Sequence, residues 1–127
     1  MTPKRFLSIA GPLLVMSGLF GVTHVLGKIS SAAFFHPPYW INWVHLSIGG
    51  LAVGVAAKGN SKVQAAMTLP PAVLGTTLGM MGLLFGSLAA KRFNVPELAD
   101  PSEHTAHLIV GLVALWGWLG RNSRVTT

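Results

Sequence analysis

The five histidines are the residues of this 127-residue chain best suited to chemistry, because an imidazole can ligate a metal or carry a proton. The chain has no cysteine, and its three carboxylates, Glu97, Asp100 and Glu103, lie in one short segment. The sequence contains no nucleophile with an adjacent base, no pair of carboxylates within an apolar segment and no phosphate-binding loop. We therefore predict that the protein is not an enzyme.

Two of the histidines lie in similar segments. The residues that begin at His45 and at His107 both follow the pattern H-L-x-x-G-x-x-A, at an offset of 62 residues. Each histidine lies roughly 10 Å along a helix from a proline near the start of an apolar segment, Pro38 or Pro101. The repetition indicates an internal duplication, in which each half is a helix, a loop and a histidine-bearing helix. The two halves would then be parallel two-helix repeats.

Three interpretations of these histidines stay open. A neutral histidine near a helix start can hydrogen-bond to a neighbouring helix or to interfacial water, which is a purely structural role. His24, His45 and His107 are instead candidate ligands of a tetrapyrrole, either haem b or a chlorophyll. His104 and His107, at positions i and i+3, are also candidate ligands of a small metal ion. A pair of histidines without cysteine is a weak metal signal.

The segments that carry the histidines are long and apolar. Hydrophobic residues make up 51% of the chain and charged residues only 9%, compared with about 25% charged residues in soluble domains. The mean hydropathy is +0.59. This composition excludes an ordinary soluble domain. Four charge-poor stretches predict an all-α polytopic membrane protein, a single domain over 1–127 with four transmembrane helices at about 6–27, 39–57, 68–90 and 101–120.

Basic residues give the expected orientation of these helices. Six lie on the side of the chain termini and the second loop, whereas three lie on the other side. The positive-inside rule then places both termini on the cytoplasmic side of a bacterial inner or photosynthetic membrane. The histidines lie towards the opposite face of that membrane. The net charge of +6 is scattered rather than clustered, so we predict no nucleic-acid partner. The six basic residues on the side of the termini are Lys4, Arg5, Lys58, Lys62, Arg121 and Arg124. The three on the other side are Lys28, Lys91 and Arg92.

Glycines mark two smooth helix faces. Four of them recur along one side of the third predicted span, and Gly50-x-x-x-Gly54 forms a shorter stripe in the second. Small residues at this spacing let another helix backbone approach closely, so helix packing is the favoured interpretation. The alternative is that a carotenoid, a lipid or a flat macrocycle lies on the glycine groove. The four glycines are Gly75, Gly79, Gly82 and Gly86.

Two segments carry a family resemblance, Asn42-Trp43-Val44-His45-Leu46-Ser47-Ile48-Gly49 and Ala99-Asp100 followed by His107-Leu108-Ile109-Val110-Gly111. They resemble a bacterial family of small four-helix membrane proteins catalogued as a domain of unknown function, with the motifs N-x-V-H-L-x-x-G and A-D-N-x-x-H-L. In the second motif, Pro101 stands where the family has the Asn of A-D-N. His104 keeps the family's spacing from Asp100 but is followed by Thr105, whereas His107 keeps the Leu but lies three residues farther along. The resemblance covers about residues 6–120 and implies a four-helix membrane fold without implying an activity.

These features favour a non-catalytic accessory or scaffold subunit of a larger energy-transducing membrane complex, respiratory or photosynthetic. Its expected partners are membrane lipids and other membrane subunits. The alternative is a tetrapyrrole-binding membrane protein with histidine ligands. A small-solute transporter is less favoured, because the four predicted apolar cores hold no charged residue.

Overall fold

The computed structural model describes residues 1–23, 39–94 and 99–122, and these residues form four α-helices. The helices are α1 (Pro3–Val22), α2 (Tyr39–Lys58), α3 (Ser61–Phe93) and α4 (Pro101–Leu119), and a short 3₁₀ turn, Gly120–Asn122, follows α4. The all-α class predicted from the sequence is confirmed. His24, His36 and the end of the first predicted span, 24–27, lie outside the described residues.

Local sequence signals explain where the helices begin and end. Side-chain oxygens of Thr2, Asn60 and Asp100 accept backbone N–H bonds from the first turns of α1, α3 and α4, at 3.3, 3.0 and 2.9 Å. These bonds satisfy N–H groups that have no partner within the helix. Asn94, in the left-handed conformation with φ 54°, ends α3, where its N–H bonds back to a helix carbonyl.

The helices pack as two antiparallel pairs, α1 with α2 and α3 with α4. Gly117 and Gly120 of the last helix and turn lie against Phe6 and Met1, so the first and last helices share one end of the molecule. The α2–α3 turn lies at that same end, which we call the basic end. The opposite end, where α1 and α3 finish, is called the histidine end.

The interior is built from small residues. Alanines of α2, α3 and α4 are buried in it, and Phe6 and Leu7 are the large apolar side chains that join them. Most other large apolar side chains point outward, and Leu84 and Leu88 are each 68% exposed. An outward apolar surface over a small-residue interior is the arrangement expected of helices in an apolar solvent.

Three helices are long and apolar enough to cross a membrane: α1, α2 from Trp40 onward, and α3. α3 has 33 residues, about 50 Å at 1.5 Å per residue, and continues through Pro70 and Pro71 rather than starting at them. α4 is present, but its first two turns hold Glu103 and two histidines, which lower its hydropathy. A fourth membrane crossing therefore stays a prediction.

Candidate histidine site

His107 is held by a hydrogen bond to its own helix. Its ring Nδ1 lies 2.9 Å from the backbone carbonyl oxygen of Glu103. A carbonyl oxygen only accepts, so Nδ1 carries the proton and Nε2 carries the free lone pair. Metal-ligating histidines usually have this arrangement, in which one ring nitrogen donates to a carbonyl and the other faces the ligand.

His45 is held in a similar way by a different partner. Its Nδ1 lies 3.5 Å from the hydroxyl oxygen of Ser17, which belongs to α1. The contact joins the two helices of the first pair and orients the half-buried ring. Both histidines therefore use Nδ1 inside the fold. The free lone pair is on Nε2 in His107, whereas in His45 it is on Nε2 only when Nδ1 donates to the Ser17 hydroxyl, which can donate or accept.

The two histidines each lie one helical turn from a residue that lines the space between the helix pairs. Ile48 of α2 and Val110 of α4 both line an apolar cleft there, and each lies three residues after one of the histidines. Residues three apart share a helix face, which places His45 and His107 towards the histidine end of this cleft.

Close glycine contacts fix the first helix pair. A Cβ atom at Gly49 would lie 2.8 Å from the carbonyl oxygen of Gly11, and one at Gly18 would lie 2.6 Å from the carbonyl oxygen of Asn42. Distances this short admit no side chain against backbone atoms. α1 and α2 therefore touch through glycine at two levels.

The second pair repeats this arrangement. A Cβ atom at Gly75 would lie 3.0 Å from the Cα of Gly111, and one at Gly82 would meet the ring of His104. The glycines of α1 and α3 correspond at an offset of 64 residues, as in Gly11 and Gly75. Their partners in α2 and α4 correspond at 62 residues.

This correspondence assigns matching positions to the polar residues of the two pairs. His107 occupies in the second pair the position of His45 in the first, and His104 occupies that of Asn42. Sequence reasoning overlooked Gly11 and Gly18. Their seven-residue spacing, repeated between Gly75 and Gly82, was the available signal.

The glycine stripe of α3 faces α4. Gly75, Gly79 and Gly82 lie against His107, Leu108 and His104, and Gly86 is also buried. α4 thus fills the glycine groove of α3. A carotenoid, a lipid or a macrocycle was the alternative occupant of that groove. Gly50 and Gly54 differ, because no atom lies within 4 Å of a Cβ built at either position. Their packing against another backbone stays a prediction.

The structure offers little for a small metal ion. Within the described ranges, no group of three or more His, Asp, Glu or Cys side chains is close enough to hold one. His104 packs on Gly82, and the Nδ1 of His107 is bonded to its own helix. A two-histidine metal site at these positions would need further ligands from outside the described residues or from solvent.

Two other polar groups lie near the histidines. Asn42 is 4% exposed, and its side-chain oxygen has no hydrogen-bond partner among the described residues. Asp100 is exposed at the start of α4, where the hydroxyl and the backbone N–H of Ser102 both donate to it and lower the pKa of its carboxyl. Asp100 is therefore a charged helix cap.

Comparison with protein-family models, curated proteins and solved structures finds no match for this chain. The class of protein is therefore defined by the features of the chain itself. It is an all-α protein whose described part has four helices, three of them long and apolar enough to span a membrane. Its candidate site consists of His45 and His107, which occupy matching positions in the two helix pairs.

Proposed function

We propose that the chain is a non-catalytic accessory or scaffold subunit of a larger energy-transducing complex, respiratory or photosynthetic, in a bacterial inner or photosynthetic membrane. In this proposal all four helices cross the membrane, as the resemblance to a four-helix membrane family implies, and the repeated histidine motif makes them two parallel two-helix repeats. The observation that carries the proposal is the outward apolar surface. Only 22% of each candidate span is buried inside the chain.

The tryptophans support a crossing by α4. Trp116 lies near the basic end of α4 and is 63% exposed, and Trp40 lies at the opposite end of α2 and is 65% exposed. Exposed tryptophans at the two ends of a bundle match the two headgroup layers of a bilayer. The 19 residues of α4 give a length of about 28 Å, close to the roughly 30 Å hydrocarbon core.

The open face of α2 supports a partner subunit. Gly50 and Gly54 are exposed and four residues apart, and no other described helix lies within 4 Å of a Cβ built at either position. A neighbouring transmembrane helix can approach such a face closely and gain van der Waals contact with its backbone. Lipid chains also cover such faces, so the shape of the face does not distinguish a lipid from a partner helix. The test of the proposal is therefore whether the chain associates with other subunits.

The test is migration on a native gel after gentle solubilisation of the native membranes. We expect the chain to migrate with a larger assembly, and Gly54→Leu to release it, because the new side chain points into open space and leaves the fold intact. Ser87→Leu, at an exposed small residue of α3, is the matched control and should remain associated. A wild-type chain that migrates only as a free monomer would overturn the proposal.

A second candidate function is tetrapyrrole binding, and the anchoring of His45 and His107 through Nδ1 favours it. Nε2 of His107 carries the lone pair that an iron or magnesium centre needs, and Nε2 of His45 carries it in the tautomer whose Nδ1 donates to Ser17. We expect a Soret or Qy band in the membrane-extracted protein, and its loss in His45→Ala or His107→Ala. His104→Ala is the control that should keep the band. A wild-type protein without either band excludes this function.

A further inference from the structure

An apolar cleft of about 470 Å³ separates the two helix pairs. All four helices line it, with Leu13, Ile48, Leu74 and Val110 as representatives. Its volume lies within the range of roughly 300–1,000 Å³ typical of small-molecule sites. The cleft is distinct from the glycine groove, which α4 fills.

The cleft extends towards the basic end. Met1, Phe6 and Met67 line it there. Arg5 precedes the lining residue Ile9 by four positions, so both lie on the same side of α1, and the Arg5 side chain is exposed. The apolar space therefore runs from the middle of the bundle to a cationic edge.

The basic end carries one sign of charge. Its described cationic side chains, all exposed, are Lys4, Arg5, Lys58, Lys62 and Arg121. The sequence has no carboxylate before Glu97, and the two described carboxylates, Asp100 and Glu103, lie at the histidine end. Among the described residues of the basic end, no carboxylate side chain neutralises these cations.

We propose that the cleft binds one acyl chain of an anionic glycerophospholipid, whose phosphate lies against the cations of the basic end. The apolar walls suit a hydrocarbon chain, and the cationic edge suits a negative headgroup, which polybasic membrane edges attract. A transmembrane helix is a poor fit, because at about 10 Å across only about one turn would fill this volume.

The inference assumes that the helices are in a membrane, but it is independent of the accessory-subunit proposal. A lipid bound within one chain is retained by the isolated protein, whereas a subunit role requires a complex. If the lipid fails to bind, the proposal of a subunit role still stands. If the chain associates with no complex, the proposal of a bound lipid still stands.

The experiment is native mass spectrometry of the full chain in mild detergent. Phosphatidylglycerol and phosphatidylcholine with identical acyl chains are added in equal amounts. We expect one phosphatidylglycerol to be retained in preference to phosphatidylcholine, and the preference to shrink as salt is raised, because salt screens exposed charges. Equal retention of the two lipids, or retention of neither, would overturn the proposal.

Variants separate the headgroup from the acyl chain. Arg5→Gln should reduce the preference by about fivefold, the effect expected of one cation near an anionic headgroup. Arg92→Gln, which removes an exposed cation at the other end of α3, is the matched control and should change nothing. An equal effect of both variants would mean that net charge alone attracts the lipid.

Ala10→Leu tests the cleft itself, because it adds three carbons at a lining position. We expect loss of the bound lipid, whereas Leu84→Phe on the outer face of α3 should retain it. Helicity by circular dichroism shows whether each variant folds. If Ala10→Leu does not fold, the lipid comparison and Arg5→Gln still decide the proposal. Lipid retained by a folded Ala10→Leu would exclude the cleft.

Discussion

At the scale of single residues, His45 and His107 occupy matching positions in the two helix pairs, but different partners hold their rings. The Nδ1 of His107 bonds to a carbonyl of its own helix, whereas that of His45 contacts Ser17 of the neighbouring helix. The orientation of His45 therefore depends on the α1–α2 pair, and that of His107 needs only α4. The carbonyl partner fixes the tautomer of His107, whereas the hydroxyl partner of His45 accommodates either tautomer.

Gly111 is a residue at which an added methyl group should be strongly disruptive. A Cβ atom there would meet the backbone nitrogen and the hydroxyl of Thr76. We expect Gly111→Ala to lower the free energy of unfolding by about 1–3 kcal/mol, as overpacking does. Thermal unfolding in detergent measures this change.

Gly50→Ala is the control for that experiment. The same methyl group enters open space at Gly50, and alanine is a better helix former than glycine. We expect stability to be unchanged or slightly raised. Equal destabilisation by the two variants would contradict the glycine-mediated contact between α3 and α4.

Asp100 should make the stability of α4 depend on pH. The bonds from Ser102 hold the pKa of its carboxyl below the ordinary value, so the folded state favours the charged form. That stabilisation is present above the ordinary pKa of about 3.9 and is lost as pH falls through the lowered folded pKa. Asp100→Asn keeps a capping oxygen but does not titrate.

The measurement is thermal unfolding of wild type and Asp100→Asn from pH 7 to pH 2. The difference between the two proteins isolates Asp100 from the other carboxylates, Glu97 and Glu103. We expect the wild type to lose stability relative to the variant in the acid limb. A constant difference across the range would show that the Asp100 bonds contribute nothing.

At the scale of the elements, Gln64 connects α2 to α3. Its side-chain Nε2 donates to the Gly59 carbonyl oxygen at 2.8 Å, and the carbonyl oxygens of Val55 and Ala56 lie within 3.5 Å. Val55 and Ala56 lie near the end of α2, and Gly59 follows its last residue. The Val55 carbonyl also accepts the Gly59 N–H at 2.9 Å, so Gln64 adds a donor for the carbonyls of Ala56 and Gly59. One buried amide therefore closes the turn.

Gln64→Leu removes this donor and leaves the carbonyls without it. We expect a loss of about 1–3 kcal/mol in the free energy of unfolding, the cost of leaving buried acceptors unpaired. Chemical unfolding followed by circular dichroism measures the loss. Gln64→Asn, with a shorter amide, is the control, and it should recover part of the loss only if the bond itself matters.

At the scale of the whole molecule, the number of membrane crossings depends on whether the two ends of α4 lie on opposite sides of the membrane. The chain has no cysteine, so single cysteines report location without background. We expect Ala99→Cys to react with a membrane-impermeant maleimide in intact cells. Arg121→Cys and Ser61→Cys should react only after permeabilisation, because both lie at the basic end. Labelling of both Ala99→Cys and Arg121→Cys from outside would mean that α4 does not cross.

The sequence by itself determined the all-α class, the long apolar helices and the ends of α2 and α4, whereas α1 and α3 begin before their predicted spans. Scarce charge and the proline after Asp100 act locally, so each can be recognised without knowledge of the fold. The caps Thr2 and Asn60 act locally too, but they were not singled out from the sequence. The sequence also marked His45 and His107 as equivalent. The physical reason is that the repeated motif lies within one helix of each half.

Only the tertiary structure decided which surfaces meet. Gly49 rather than Gly50 faces α1, and Gly11 and Gly18 are contact residues that the sequence did not single out. The cleft also arises only when both pairs pack together. Helix pairing depends on contacts between residues far apart in sequence, and in a chain rich in small and apolar residues many faces suit it locally. The packing of whole helices selects among them.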